Sequence, residues 1–564
     1  MAEFAQLLRT SPSAKLAVFP LIMPAATDIK KNLGAYYTPE RVADFLTAWA
    51  IRSAKDSALD PSAGAGVFLA SARRRLWSLG GRDASKILGI EKSSVTYELT
   101  KVAMASALGN GHRLVHGDFF DQEPDDLGTV TALVGNPPFI RFQRFSGDDR
   151  RKALARAAEA GVELSELSSS WAPFLVHATR FISPGGRMAV VAPAEIAYAA
   201  YAQPVVRFLV NSFARIQLLV FEERLFPDLS EDTVLILAEG RGEPGGTLSL
   251  HTLAGPGALD SSASMPFDAR ERGQAAHDWT SGVARLVEYM LPAATRELYR
   301  ELGQIRSVVR LGTVADVGIG YVTGNNSYFH LSGARARELG IGRPYLAKAV
   351  RNARMVPGLR FSADDWRSRR QQGDDNALLR IKPTATVNEA LRKYLDVGTR
   401  TGVHAGYKCR TRTPWYAVPH VHVGDAFLTY MSGARTKLFA NDAGAVAPNT
   451  LHVVRCKTAD CGGSDLAVAW QSAITELSCE IEGHSLGGGM LKLEPRESGR
   501  VLVPRIPEAR TAILDLDELV RRQALSEVSA NVDSMTSAAT GLSRSDMRRL
   551  RDGARLLRER RTRR

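Results

Sequence analysis

Residues 59–69 read "LDPSAGAGVFL". Two apolar positions run into Asp60, and Pro61 then stops the run, because proline has no amide hydrogen for a sheet ladder. Gly64 and Gly66 follow and lead into a helical pattern. Glycines at a strand-to-helix turn let the backbone bend tightly and approach a ligand. Packing alone asks for glycine at many such turns, so the loop is read from what surrounds it.

Three further apolar runs of strand length come next: "KILGIEK" (86–92), "RLVHGDFF" (113–120) and "VTALVGNPPF" (130–139). "GGRMAVVAPAE" (185–195) and "DTVLILAEG" (232–240) supply two more, and helical patterns fall between them, as around 68–79 and 97–108. This alternation predicts an α/β domain with a mostly parallel sheet. The first four runs end in Asp60, Glu91, Asp118 and Asn136, at the edge where open α/β sheets bind ligands. Glu91 lies 31 residues beyond Asp60, where an acid can accept both ribose hydroxyls. Asp118 followed by Phe119 suits adenine, the acid accepting from the exocyclic amine and the ring packing on a face. Leu69 replaces the third glycine of G-x-G-x-x-G, which disfavours a dinucleotide. No G-x-x-x-x-G-K-[ST] occurs, which argues against a phosphate-loop nucleotidase.

The chain has 564 residues, enough for two or three domains, and a net charge of +13. That balance points to a polyanionic partner, nucleic acid first and an anionic membrane surface second. The four cysteines, Cys409, Cys456, Cys461 and Cys479, show neither zinc nor disulfide spacing, so no metal and a reducing cytoplasm are expected. "KLAVFPLIMPAA" (15–26) is too short and too broken by proline to span a membrane; a soluble protein is expected. Gly, Pro and Ser crowd 240–270 and mark a boundary. The expected organisation is an N-terminal extension (1–33), a first domain (34–265), a second (285–525) and a basic helical tail (526–564). Residues 541–564 hold ten arginines and three acids, with Met547, Leu550, Ala554 and Leu557 on one helical face. Phosphate binding and docking on the body both stand as readings of that tail.

Five segments in this order, "GAYYTPERVADFL" (34–46), "LDPSAGAGVFLA" (59–70), "GIEKSSVTYELTK" (89–101), "HGDFF" (116–120) and "LVGNPPFIRFQ" (133–143), resemble the gamma class of N6-adenine DNA methyltransferases. These belong to restriction–modification and related phage-defence systems. "SSSWAPFLVHATRFISPGGRMAVVAPAEI" (168–196) and "RLFPDLSEDTVLILAEG" (224–240) extend the likeness, and "GIGYVTGNNSYF" (318–329), "APNTLHVV" (447–454) and "HSLGGGMLKLEPRE" (484–497) match recognition regions more loosely.

The resemblance implies a Rossmann-like, seven-stranded, mostly parallel domain that uses S-adenosylmethionine, followed by a mixed α/β target-recognition domain on double-stranded DNA. It implies cofactor contacts from Tyr37, Thr38, Pro39, Asp60, Ser62, Gly64, Gly66, Glu91, Lys92, Asp118, Phe119 and Asn136. It implies a catalytic loop of Asn136, Pro137, Pro138 and Phe139, with Phe226 as a second aromatic on a flipped base. Phe139 stands where many relatives have Tyr. Stacking survives that change and a hydroxyl contact does not.

The chemistry fits those residue types. The N6 lone pair of adenine is delocalised into the ring. Two acceptors aimed at its hydrogens, the Asn136 side-chain oxygen and the Pro137 carbonyl, localise it, and the prolines hold them rigid. Flipping the base costs ~a few kcal/mol, which stacking at roughly 1–3 kcal/mol per aromatic contact offsets. For DNA contact the sequence offers Arg141 and the stretch "YKCRTRTPWY" (407–416), where Lys408, Arg410 and Arg412 interleave with Trp415 and Tyr416. A separate endonuclease or defence protein is the expected partner. N4-cytosine methylation, a protein-glutamine methyltransferase sharing the Asn-Pro-Pro-aromatic loop, and a non-catalytic DNA specificity subunit remain as alternatives.

Overall fold

A computed structural model describes residues 38–562 apart from 109–110, 198, 200, 222, 224, 227–232, 244, 262–284 and 487–488. Tyr37 and the segment 1–33 lie outside the described residues. The chain divides into two compact units, Met1–Leu286 and Val287–Arg564.

The first unit is built on one eight-stranded sheet. Its strands are β1 (Ala58–Asp60), β2 (Ile87–Glu91), β3 (Arg113–His116), β4 (Val130–Gly135), β5 (Ile182–Pro193), β6 (Phe213–Phe221), β7 (Thr233–Arg241) and β8 (Thr247–Leu253), in the order β3-β2-β1-β4-β5-β7-β6-β8. Strands β3 to β5 in that order run parallel, β7 is antiparallel to both its neighbours, and β8 is parallel to β6. Continuous apolar runs suit strands covered on both faces, and Leu59, Leu133 and Val191 are fully buried.

Helices α1 (Glu40–Ala50), α2 (Val67–Ser78), α3 (Ser94–Leu108) and α4 (Trp171–Thr179) join the layers. A Thr47–Ser71 hydroxyl bond of 2.6 Å ties α1 to α2. The sheet has one strand more than the seven expected. The extra strand is β8, inside the Gly- and Pro-rich stretch read as a boundary. Gly245 and Gly246, both at positive φ, turn the chain back along β6, so these glycines feed an edge strand.

The second unit holds a four-stranded antiparallel sheet of β9 (Ala315–Ile319), β10 (Ala426–Thr429), β11 (Leu438–Ala440) and β12 (Leu451–Cys456), ordered β9-β12-β10-β11. Helices α5 (Gly463–Ala469), α6 (Ala473–Glu482), α7 (Ala509–Arg521), α8 (Leu525–Thr540) and α9 (Arg544–Thr562) belong to the same unit, beside smaller sheets and further helices. One core joins β10 and β12 to Leu466, Ile513, Leu516, Val528 and Val532.

The basic C-terminal segment is part of this unit. Met547, Leu550, Ala554 and Leu557 of α9 are buried with Ile474 and Leu477 of α6. Arg551 pairs with Glu476 and Asp533, Arg558 with Glu476 and Glu480, and Arg561 with Glu480 at 2.8 Å. Three of the arginines proposed for phosphate are therefore committed to carboxylates of the same unit. Among the described residues no helix is long and apolar enough to cross a membrane.

Candidate active site

The sheet order places four chemical groups side by side. Because β3, β2, β1 and β4 are adjacent and parallel, Asp118, Glu91, Asp60 and Asn136 all stand at or just past one edge. The Glu91 carboxylate accepts the Gly64 N–H through Oε2 at 2.9 Å and the Ser93 N–H through Oε1 at 2.8 Å. The second strand is thereby pinned to the glycine loop. Gly66, at φ +80°, opens α2, and a Cβ there would meet Thr100 and Met104 of α3 at 3.1 Å. The Thr100 hydroxyl donates to the Gly64 carbonyl. The glycines serve a close approach of α3 and also leave the loop bare.

Asp60 is 1% exposed. One oxygen accepts the Ser62 N–H at 3.1 Å and the other, Oδ2, is buried without a hydrogen-bond partner. Burial chiefly pushes its carboxyl up to about 7; the Ser62 N–H opposes that and the Glu91 charge adds to it. A cationic group brought to this oxygen would restore its charge. This fits the ammonium-bearing cofactor that the resemblance implies, with Glu91 and the 62–66 loop beside it.

The 136–139 loop is held from three directions. Asn136 Nδ2 donates to Thr38 Oγ1 at 3.1 Å, and its backbone carbonyl accepts the Ser62 hydroxyl at 3.2 Å. A Cβ at Gly135 would stand 3.0 Å from Asp60 Oδ1, so the end of β4 is in contact with the start of the glycine loop. Ser170 braces the far side through Pro138 and Ile140. The remaining amide atom, Asn136 Oδ1, is buried with no partner. Phe139 is 5% exposed and Phe226 is 4% exposed, so a base reaches either ring only as neighbouring groups shift. Pro39 precedes α1 as its N-cap.

Asp118 and Phe119 are placed differently from the sequence reading. Both Asp118 oxygens are engaged, Oδ1 by the Phe120 N–H and Oδ2 by Lys92 at 2.8 Å. Phe119 is packed among Phe174, His177 and Phe181 at centroid distances of 4.8, 4.7 and 5.1 Å. Its ring serves the core, and Lys92 orients the acid. His177, missed in the sequence, lies within 3.2 Å of the Phe119 carbonyl and 3.1 Å of the Gln122 carbonyl. It anchors this turn, and only its place on the buried α4 could have signalled that.

In the second unit the stretch 407–416 divides. Tyr407 is 65% exposed, and Lys408 and Arg410 stand over its ring at 5.3 and 5.5 Å. Arg412 instead donates to the Thr323 carbonyl at 2.9 Å and to the Val322 carbonyl. Trp415 packs against Tyr328, Phe329 and Tyr416, and both Trp415 and Tyr416 lean on the core around Tyr394 and Leu391. The structure thus assigns Arg412, Trp415 and Tyr416 to holding the loop, because a guanidinium bonded to two carbonyls and a ring in the core are not offered outward. In the first unit Arg141 is exposed.

Comparison with known proteins agrees with this geometry. A family described as "N-6 DNA Methylase" matches residues 20–245, and one described as "Type II methyltransferase M.Eco57I, C-terminal domain" matches residues 284–536. Type II methyltransferase M.AccI of Acinetobacter calcoaceticus is 19% identical over 478 residues, covering 83% of this chain and 84% of that protein. Type II methyltransferase M.XamI of Xanthomonas campestris pv. amaranthicola is 23% identical, with 84% and 85% covered. Among solved structures, the type IIG restriction endonuclease BpuSI is 16% identical with a TM-score of 0.43, covering 94% of this chain and 66% of that one; a likeness that slight carries no argument. The two family matches and these near full-length relatives support an N6-adenine DNA methyltransferase of restriction–modification type.

Proposed function

We propose that this enzyme methylates N6 of an adenine rotated out of duplex DNA, using S-adenosylmethionine, as the modification partner of a separate endonuclease. One observation carries the reading: a buried amide oxygen, Asn136 Oδ1, has no partner while the Asn136 amide nitrogen, the Asn136 and Pro138 carbonyls and the Ile140 N–H are all held. An unsatisfied buried acceptor costs ~1–3 kcal/mol, and a donor arriving from outside removes that cost. An exocyclic amine is such a donor.

When bound, S-adenosylmethionine supplies an electrophilic methyl group. Glu91, the 62–66 loop and Asp60 are the residues that would hold it. Asn136 Oδ1 and the Pro137 carbonyl accept the two N6 hydrogens and localise the nitrogen lone pair, acting as preorganised dipoles. Phe139 and Phe226 hold the faces of the base, which offsets the cost of flipping. No side chain is needed as a strong base, since a methylated ammonium loses its proton to water readily. In the second unit, Lys408 and Arg410 are the residues of the 407–416 stretch offered to phosphate.

The test is nucleoside analysis and methylation-sensitive sequencing of DNA from cells expressing the protein. N6-methyladenine at one recurring sequence is expected. N4-methylcytosine alone, or unmodified DNA, would overturn the reading.

A further inference from the structure

Ser170 brackets the residue that the base must meet. Its hydroxyl donates to the Pro138 carbonyl and accepts the Ile140 N–H at 2.9 Å, and its own N–H donates to the Ile140 carbonyl at 3.0 Å. The residue between these partners is Phe139. A hydroxyl is the small group that gives and takes a hydrogen bond at once. Ser170 is 1% exposed, so water does not stand in for it.

The brace is itself anchored. Ser170 opens α4, and the next residue, Trp171, is fully buried with Nε1 3.0 Å from Tyr201 Oη. Tyr201 donates to Glu195 Oε2 at 2.6 Å, and Glu195 lies in the short turn just past the end of β5. A chain of bonded groups thus runs from β5 through Glu195, Tyr201 and Trp171 to Ser170 and the loop. Burial and the Glu195 charge hold the Tyr201 hydroxyl protonated at all ordinary pH, so the link stays a donor.

We propose that Ser170 is a positioning residue for methyl transfer, fixing Phe139 through the backbone on either side of it and so the approach of N6 to Asn136. The inference rests on reading 136–139 as the catalytic loop. Ser170→Ala strands the Pro138 carbonyl and the Ile140 N–H but keeps the Ser170 N–H bond to Ile140. The loop is loosened and the fold persists.

The experiment compares wild type, Ser170→Ala and Ser170→Thr in single-turnover transfer of labelled methyl from S-adenosylmethionine to genomic DNA lacking the modification. Cofactor and DNA are both saturating, and cofactor Kd is measured in parallel. Ser170→Ala is expected to slow transfer by about tenfold to a hundredfold. Its cofactor Kd is expected to stay within about twofold of wild type, and Ser170→Thr to recover the rate to within about threefold, since threonine keeps the hydroxyl. Wild-type speed in Ser170→Ala would overturn the inference. Equal loss in both variants would do so too, as would a parallel loss of cofactor binding. A wild-type protein that transfers no methyl group to DNA overturns the proposed function and this inference with it, whereas an active wild type with an unimpaired Ser170→Ala overturns this inference alone.

Discussion

Asn136 donates its amide N–H to Thr38 Oγ1 at 3.1 Å, and that bond decides which end of the amide is left over. With Nδ2 held by Thr38, Oδ1 is turned toward the open role and stays unpartnered. Thr38 is 4% exposed and lies 98 residues away in sequence, at the foot of α1. Thr38, just before α1, therefore sets the orientation of the Asn136 amide.

Asn136→Ala is expected to slow methyl transfer by about 10²–10³-fold, the scale of losing one preorganised polar contact in a transition state. Cofactor binding is expected to survive, because Glu91 and the Gly64 N–H are bonded to each other and not to Asn136. Thr38→Val, which keeps shape and removes the acceptor, should cost about tenfold. Single-turnover transfer and equilibrium cofactor binding separate the two effects; loss of binding in Asn136→Ala would contradict the assignment.

Asp60 makes stability depend on pH in a defined direction. Its carboxyl is pushed up to about 7, chiefly by burial, while in the unfolded chain it titrates near ~3.9. Between those values the folded state keeps a proton that the unfolded state has lost, so stability falls as pH rises. His177 acts oppositely: burial pulls it down to about 4 from ~6.5 unfolded, so its contribution grows as pH rises through that window. The two contributions mask each other in wild type. Asp60→Asn removes one of them, and its melting temperature relative to wild type should climb from about pH 4 to about pH 7. A difference that is flat with pH would mean that Asp60 does not titrate there.

The parts legible in the sequence were those with a local cause. Asp60 and Asn136 can be placed because a proline stops each apolar run, and Glu91 because Lys92 and two serines end its run; adjacent parallel strands then bring the three ends to one edge. Strand β8 is hidden in the sequence because two glycines that serve a turn look like a linker. Thr38 with Asn136, and Ser170 with Pro138, pair across 98 and 32 residues, and no periodicity announces a hydroxyl that reaches across a fold. Lys408 and Arg412 are likewise indistinguishable by composition. Only the backbone of 322–323 shows that one of them is already in use.

The C-terminal helix should behave as core. Arg561 and Glu480 have side chains 5% and 3% exposed, and Arg561 also donates to the carbonyls of Gly489, Gly433 and Ala434. Removing one partner of a buried pair costs ~3–5 kcal/mol, so Arg561→Ala should lower the melting temperature clearly. Deleting 541–564 should unfold the second unit, since Leu550 and Leu557 would leave a gap against α6. Melting at the wild-type temperature after either change would return the helix to the role of a solvated tail.

The arginines and lysine of 407–416 give the sharpest contrast on DNA. Lys408 and Arg410 are exposed around the ring of Tyr407, and each phosphate contact releases about one counterion. Lys408→Ala and Arg410→Ala should each weaken binding across all sequences and reduce the slope of log K against log salt by about one, with melting unchanged. Arg412→Ala should do the reverse. Burial lowers the pKa of its guanidinium, and without it the Val322 carbonyl loses its partner and the Thr323 carbonyl keeps only the weak Cys409 thiol, so the protein melts lower while the salt slope holds. Isothermal binding at several salt concentrations beside thermal melts reads both quantities. If Arg412→Ala flattened the salt slope and left melting untouched, its guanidinium would be facing phosphate after all, and the division of this stretch into outward charges and inward supports would be wrong.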